Sequence, residues 1–315
     1  VTVGDETRTF EIASLRQDGN VTVADPQLAG DWTDPIRGCY VVLAEAGFDP
    51  GGFEGTVDGE LFGPDATDDS GPADSTTRTS LELAVLALLG AAYDLDLSRL
   101  EIAYLAQRVE TAFLGHRATG APFAIALSKA GSALFLDADA DTYARIGVPD
   151  QLQFLTVTTD PSDRESDSVE ERDSVQKALE ALDAESSPEV DLATLPRLDG
   201  PGADQLGYVV RENARASQAA TALDNGDIDR FGELLDEAHH DLTEHLGGNR
   251  PGVDRIVETA REHGAYGVRA IGSDVVVAAD ADRAASLFDA IERIETGNEL
   301  RARLVDPVNG VVSKI

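Results

Sequence analysis

Between Ser80 and Tyr93 the chain carries Leu81, Val85, Leu88 and Leu89 among other apolar residues, with Glu82 as the single charge. A helix that is apolar nearly all round has no face to offer water, so it must be packed on most sides. Its uninterrupted apolar run, Leu83 to Tyr93, falls short of the roughly 20 residues that a bilayer span requires. The segment therefore asks for a globular core thick enough to enclose a whole helix. The 315 residues are enough for two domains of ordinary size, each with its own core.

Patterning around that helix predicts a mixed α+β, two-domain chain. Thr7–Ile12 and Asn20–Val23 alternate polar and apolar residues as short strands do, Ile36–Gly47 has helical spacing, and Phe53–Leu61 reads as a strand. Pro64–Thr79 is a polar loop rich in Asp, Ser, Thr, Gly and Pro. Ser98 and Glu101 form a capping box that opens a helix through Phe113. Gly115–Pro122 is a loop leading to a short apolar segment that ends at Leu127, a turn follows at Lys129-Ala130-Gly131, and Ala133–Leu136 reads as a strand.

In the second half, Gln153–Thr158 is a strand, Asp160–Ser174 a charged loop entering a helix at Val175–Leu182, and Ser186–Asp204 a polar linker. Helices are predicted over Gln205–Leu223, Ile228–Leu246 and Val253–His263, a hairpin over Tyr266–Ile271 and Val275–Ala279, a helix over Ala281–Glu295, and a last strand at Arg301–Val305. The switch from one αβ block to the next places the domain boundary at 150/151.

Charge narrows the function. Asp and Glu number 59 against 25 basic residues, a formal net charge of −34. Lys129, Lys177 and Lys314 are the only lysines. The acid is spread along the whole length instead of gathered in a tail, and that balance fits a protein of an extreme halophile working in molar salt. There the Debye length falls to roughly 3 Å and self-repulsion is screened. Binding nucleic acid or an anionic membrane needs a basic stripe, and the sequence has none. Cys39 is the sole cysteine, which rules out an internal disulfide or a multi-thiolate metal site. No charged-then-apolar leader opens the chain, and the protein reads as cytoplasmic. His240, Asp241, Glu244 and His245 lie within a turn or so of one another, as a metal cluster or as part of a solvated acidic helix.

Several strings point to one family. Trp32-Thr33-Asp34-Pro35-Ile36-Arg37-Gly38 is followed by Gly47-Phe48-Asp49-Pro50-Gly51-Gly52-Phe53, by Leu81-Glu82-Leu83-Ala84, and by Leu105-Ala106-Gln107-Arg108-Val109-Glu110. Further on come Ala126-Leu127-Ser128-Lys129, Arg211-Glu212-Asn213-Ala214-Arg215, Gly226-Asp227-Ile228-Asp229-Arg230-Phe231 and Gly264-Ala265-Tyr266-Gly267-Val268-Arg269. In this order and spacing they resemble the galactokinases of the GHMP sugar-kinase superfamily over residues 32 to about 280. The resemblance implies an N-terminal α+β domain over residues 1–150 and a C-terminal one over 151–315, with a cleft between them. It also implies ATP and Mg2+ as the cofactors of an active member, which transfers the γ-phosphoryl group to the C1 hydroxyl of galactose.

The same resemblance marks departures. The family's sugar-contacting string Arg-x-Asn-x-x-Gly-Glu-His-x-Asp-Tyr has no counterpart, so the first strands are expected to be missing. The phosphate loop is replaced by Gly71-Pro72-Ala73-Asp74-Ser75-Thr76-Thr77-Arg78-Thr79 after an acidic insertion. Proline there removes an amide and aspartate repels phosphate. Thr76, Thr77 and Arg78 are the residues left to meet a nucleotide phosphate. Arg78 stands at the family's Mg2+-binding serine, as a phosphate clamp or a solvated loop arginine. Glu110 matches the second Mg2+ ligand, or is a surface acid.

The catalytic aspartate falls at Pro122 counted forward from Glu110, or at Ala121 counted back from Ala126; neither can act as a base. The glycine-rich turn after Arg269 is reduced to Ala270-Ile271-Gly272-Ser273-Asp274, a tight hairpin. The implied function is a galactokinase-like pseudokinase. The alternatives are an active sugar kinase with replaced site residues, and a non-catalytic partner of a true kinase. A sugar, a nucleotide or a kinase protein is then the expected partner.

Overall fold

The apolar segment is a helix enclosed nearly all round: Leu81, Leu83, Val85, Leu86 and Leu89 are buried, Leu88 is half-buried, and Ala84 and the last turn reach solvent. The computed structural model describes residues 2–3, 11–14, 20–22, 27–51, 53–57, 75–116, 119–137, 142–158, 169–182, 184, 187–197, 202–246, 251–271, 274–294 and 300–305. The described residues divide into two α+β units, one built from residues up to Lys129 with Leu136–Thr142, the other from Ala130–Phe135 and from Tyr143 to Val305.

In the first unit, strands β1 (Thr2–Val3), β2 (Glu11–Ser14), β3 (Asn20–Thr22) and β4 (Phe53–Val57) form a sheet in the order β1-β4-β2-β3, with β2 and β4 parallel. The helices are α1 (Asp34–Glu45), α2 (Ser75–Ala92), α3 (Arg99–Arg108) and α4 (Ala121–Leu127). Pro35 sits in the first turn of α1, where its missing N–H is no loss. The Asp34 carboxylate accepts from the Ala29 and Gly30 amides and from Arg37. Gly47, at φ +90°, closes the helix while Phe48 N–H reaches back to the Leu43 carbonyl. The Ser98/Glu101 capping box opens α3 as read from the sequence. Ile36, Leu43, Leu83, Leu86, Leu89 and Leu127 are the largest fully buried side chains among the described residues of this unit.

In the second unit, β7 (Leu152–Thr158), β8 (Gly267–Ile271), β9 (Asp274–Asp280) and β10 (Arg301–Val305) form an antiparallel sheet in the order β10-β7-β9-β8. Helices α5 (Val169–Ala181), α6 (Ala203–Asp224), α7 (Ile228–Leu246), α8 (Pro251–Glu262) and α9 (Ala281–Glu292) accompany it. Alternation along the strands sorts the core into two faces. Leu155, Val157, Val275 and Val277 pack with Ile256 and Leu287 of α8 and α9, whereas Leu152 and Ala278 pack with Phe231 and Leu234 of α7. β5 (Ser132–Asp137) pairs with β6 (Thr142–Gly147) in a separate two-stranded sheet.

Four sequence expectations change. Helix α2 begins at Ser75, five residues before the expected Ser80, so Thr76, Thr77 and Arg78 occupy its first turns and not a loop. Ala121 and Pro122 likewise open α4, because proline near a helix start costs nothing and fixes φ. Helix α5 starts at Val169, ahead of the expected Val175, its charged first turns having hidden it. Of the polar linker, the described part forms 3-10 turns at Ser187–Glu189 and Leu192–Arg197, and Val190 packs against Leu206 and Val210. Residues 58–74, which include the acidic insertion and the first residues, 71–74, of the altered phosphate loop, lie outside the described residues, as do 159–168, 272–273 and the His245 side chain.

Candidate functional site

Of the residues that the resemblance singles out in the first unit, Arg78 and Glu110 come together. Beyond Arg108, helix α3 runs into a π-helical turn, Val109–Phe113, in which Leu114 N–H reaches the Val109 carbonyl at 2.9 Å. Such turns recur at functional sites because they re-aim a side chain. Gly38 of α1 makes room for it: a Cβ there would stand 2.6 Å from Val109 Cγ1 and 2.8 Å from Phe113 Cδ1. The turn holds Glu110 at 5% exposure, inside the unit and not on its surface.

Arg78 and Glu82 stand one turn apart on α2, so they share a face. Arg78 Nε donates to Glu110 Oε1 at 2.8 Å and its Nη2 to Oε2 at 3.0 Å, a two-pronged, charge-assisted pairing. Thr79 Oγ1 lies 3.3 Å from Oε1, and His116 Nδ1 lies 2.7 Å from Oε2. Burial opposes ionisation of Glu110, yet the hydrogen bonds from Arg78 and His116 outweigh it and hold the carboxyl below its usual range.

Glu82 is the opposite case. It is fully buried, and neither carboxyl oxygen has a hydrogen-bond partner. Burial, reinforced by the negative Glu110 and only partly countered by Arg78, pushes it up to about 9, so it is protonated at neutral pH. Cys39 lies alongside, its Sγ 3.6 Å from the Glu82 carbonyl, and burial pushes that thiol up.

The residues present do not fit the Mg2+ that the resemblance implies. Mg2+ requires oxygen ligands at about 2.0–2.1 Å in octahedral array. Here both Glu110 oxygens are committed to a guanidinium, which has no lone pair to offer a metal. Arg78 is neither a solvated loop arginine nor unattached; its side chain is 18% exposed and anchored. Thr77 is half-buried in the same helix, and Thr76 shares its first turn. At the aspartate position Pro122 is buried and Ala121 half-buried, and neither brings an ionisable group. Sequence reasoning missed Thr79, Glu82 and His116 as members of this cluster. The signal was the i, i+4 spacing of Arg78 and Glu82, legible only once the helix is known to begin at Ser75.

The second unit holds a separate ionic cluster. Asp241 of α7 accepts from Arg211 Nε at 2.7 Å and Nη2 at 2.8 Å, and also from Arg215. Glu212 accepts from Arg215 and pairs with Arg269. The arginines outweigh burial and hold Asp241 below its usual range. Arg211, Arg215, Glu237, His240, Asp241 and Glu244 line a cavity of about 410 Å³. His239 and Asp241 are buried, so this stretch is not simply a solvated acidic helix. Among the described residues no group of three His, Cys, Asp or Glu side chains could hold a metal.

At the turn after Arg269, Ile271 pairs with Asp274 and only two residues intervene, the tight hairpin expected. None of the described helices is long and apolar enough to cross a membrane.

Residues 219–294 match the family described as GHMP kinases C terminal. A galactokinase of Thermococcus kodakarensis is 35% identical over 270 residues, covering 84% of this chain and 71% of that protein. One of Pyrococcus furiosus is 30% identical over 298 residues, covering 92% and 79%. The structure of Lactococcus lactis galactokinase complexed with galactose superposes with a TM-score of 0.80 at 22% identity, over 97% of this chain and 84% of that one. A mevalonate kinase follows at a TM-score of 0.60.

Proposed function

Since the chain belongs to the galactokinase family of the GHMP kinases, we propose that it is a pseudokinase of that family, one that keeps the sugar-kinase fold and has lost phosphoryl transfer from ATP. The observation carrying this reading is the guanidinium of Arg78 clamped on Glu110. Phosphoryl transfer has little covalent chemistry for a protein to perform; its catalysis is positioning and neutralisation of phosphate charge, much of it by metal ions. A site that spends its buried carboxylate on an arginine has no equivalent place for the metal. The aspartate position, filled by Ala121 or Pro122, offers no acceptor for a hydroxyl proton. Pro64, Asp65, Asp68, Asp69, Pro72 and Asp74 in the altered loop argue against a phosphate cradle on sequence grounds alone.

Ligand-dependent melting in molar KCl tests the reading. A kinase in the presence of ligand at 100 times the dissociation constant gains about 2.7 kcal/mol. MgATP is expected to leave the melting temperature unchanged, with or without galactose. A rise with MgATP that grows further when galactose is added would overturn the proposal.

A further inference from the structure

We infer that the cavity lined by Arg211, Arg215, Asp241 and Glu244 binds an α-amino acid, whose carboxylate meets the guanidinium of Arg211 and whose ammonium meets the carboxylate of Glu244. The site lies wholly in the second unit and uses none of the residues on which the pseudokinase reading stands.

One observation is a surplus of positive charge, held rigidly. The guanidiniums of Arg211, Arg215 and Arg269 are joined through the carboxylates of Asp241 and Glu212. Three positive charges against two negative ones leave this network one positive charge in excess. Asp241 is buried and takes Arg211 by Nε and Nη2 together, a fork that fixes the plane of the guanidinium. The Nη1 of the same group is not spent on Asp241. Gly207 gives it room, since a Cβ there would lie 3.0 Å from Arg211 Nη1. A donor fixed in advance spares a ligand the cost of ordering it on binding.

The other observation is an opposite charge one turn away. Asp241 and Glu244 stand three residues apart on α7, which makes them neighbours with about 5–6 Å between their Cβ atoms. Glu237, on the other side of Asp241, is taken by Arg230. Glu244 is exposed and pairs with no cation among the described residues. Both Arg211 and Glu244 line the cavity of about 410 Å³, a volume ordinary for a small-molecule site. Glu244 also borders a second cavity of about 710 Å³, where Asp254 and Glu258 of α8 add negative charge.

This polarity excludes the simpler ligands. A bare anion gains the guanidinium but is repelled by Glu244, and a bare cation gains Glu244 but is repelled by the arginines. A small molecule carrying a carboxylate and an ammonium satisfies both ends at once.

Titration of the protein with L-alanine, propionate and ethylamine, followed by ligand-detected NMR in molar KCl, tests this directly. Propionate lacks the ammonium and ethylamine the carboxylate, and the salt suppresses loose binding to the acidic surface. L-Alanine is expected to bind saturably, one molecule per chain, at least ~10-fold more tightly than either analogue, because each analogue forfeits a charge-assisted contact. Glu244→Gln, at an exposed position, should bring L-alanine down to the level of propionate. Glu244→Lys should reverse the order, so that propionate binds more tightly than L-alanine.

Absence of saturable L-alanine binding would overturn the inference. So would binding no tighter than that of an analogue, or a Glu244→Gln or Glu244→Lys variant that keeps the wild-type preference.

Discussion

Replacing Glu82 by glutamine probes the buried carboxyl pair through the pH dependence of stability. Glu82 keeps its proton up to about pH 9 in the folded chain, against an ordinary value of 4.5. Between those limits the folded state binds a proton that the unfolded state has released, so this group's contribution to stability falls as pH rises. At about 1.4 kcal/mol per pH unit, the penalty reaches about 3 kcal/mol at pH 7 and about 6 kcal/mol by pH 9, where it levels off. Glutamine has the shape of the protonated acid and nothing to lose.

Arg78, Glu110, His116 and Cys39 remain in both proteins, so the difference between them reports the loss of the Glu82 carboxyl. The substitution should therefore be nearly neutral near pH 4.5 and stabilising by about 3 kcal/mol at pH 7. Trp32, the only tryptophan, is buried in the first unit. Its fluorescence during urea unfolding at several pH values reports the transition of that unit. A wild-type-to-variant difference that stays flat from pH 5 to pH 9 would refute the reasoning, since it would mean Glu82 ionises normally in the folded chain.

In the second unit, Gly232 and Gly267 meet backbone to backbone: a Cβ on Gly232 would lie 2.1 Å from the Tyr266 carbonyl oxygen. Gly232→Ala should cost at least ~3 kcal/mol in chemical unfolding. Gly226→Ala, with nothing within 4 Å and only a left-handed φ of +69° to strain, should cost about 1 kcal/mol; equal costs would contradict the close approach. Asp241→Asn removes the buried charge that Arg211 and Arg215 share and should destabilise by about 3 kcal/mol at neutral pH. Because the native Asp241 carboxyl is held low, its stabilising contribution is present above its unfolded value and lost as pH falls through the folded one. The variant's deficit should therefore shrink in acid, and a deficit that persists there would count against the ionic account. The melting temperature should climb between 0.1 and 3 M KCl as the Debye length drops below roughly 10 Å; a flat profile would contradict the high-salt reading of the composition.

Much of the architecture was legible where pattern and punctuation agree. The span Ile228–Leu246 and the strand Arg301–Val305 coincide with elements read from spacing alone. The Ser98/Glu101 box marked a helix start because its two hydrogen bonds are local. Helix starts without such a marker were misplaced: Ser75 to Thr79 are polar and partly β-branched, a composition that reads as loop, and the buried remainder of α2 carries them into the helix. β6 escaped notice because nearly all its side chains are exposed, leaving no apolar alternation to see.

At the site, collinear motifs singled out Arg78 and Glu110, the two residues that pair. The pairing of those two residues, 32 positions apart, depends on how α1, α2 and the π-helical turn pack, which no local pattern encodes. The isolation of Glu82 is likewise a property of the packed core; in the sequence it is one acid in an apolar helix.

Phosphate transfer itself is the direct arbiter of the pseudokinase proposal. Phosphorus NMR of the protein incubated with galactose and MgATP in molar KCl should show ATP persisting and no galactose 1-phosphate above a protein-free control. Time-dependent galactose 1-phosphate appearing in step with ADP would contradict the account.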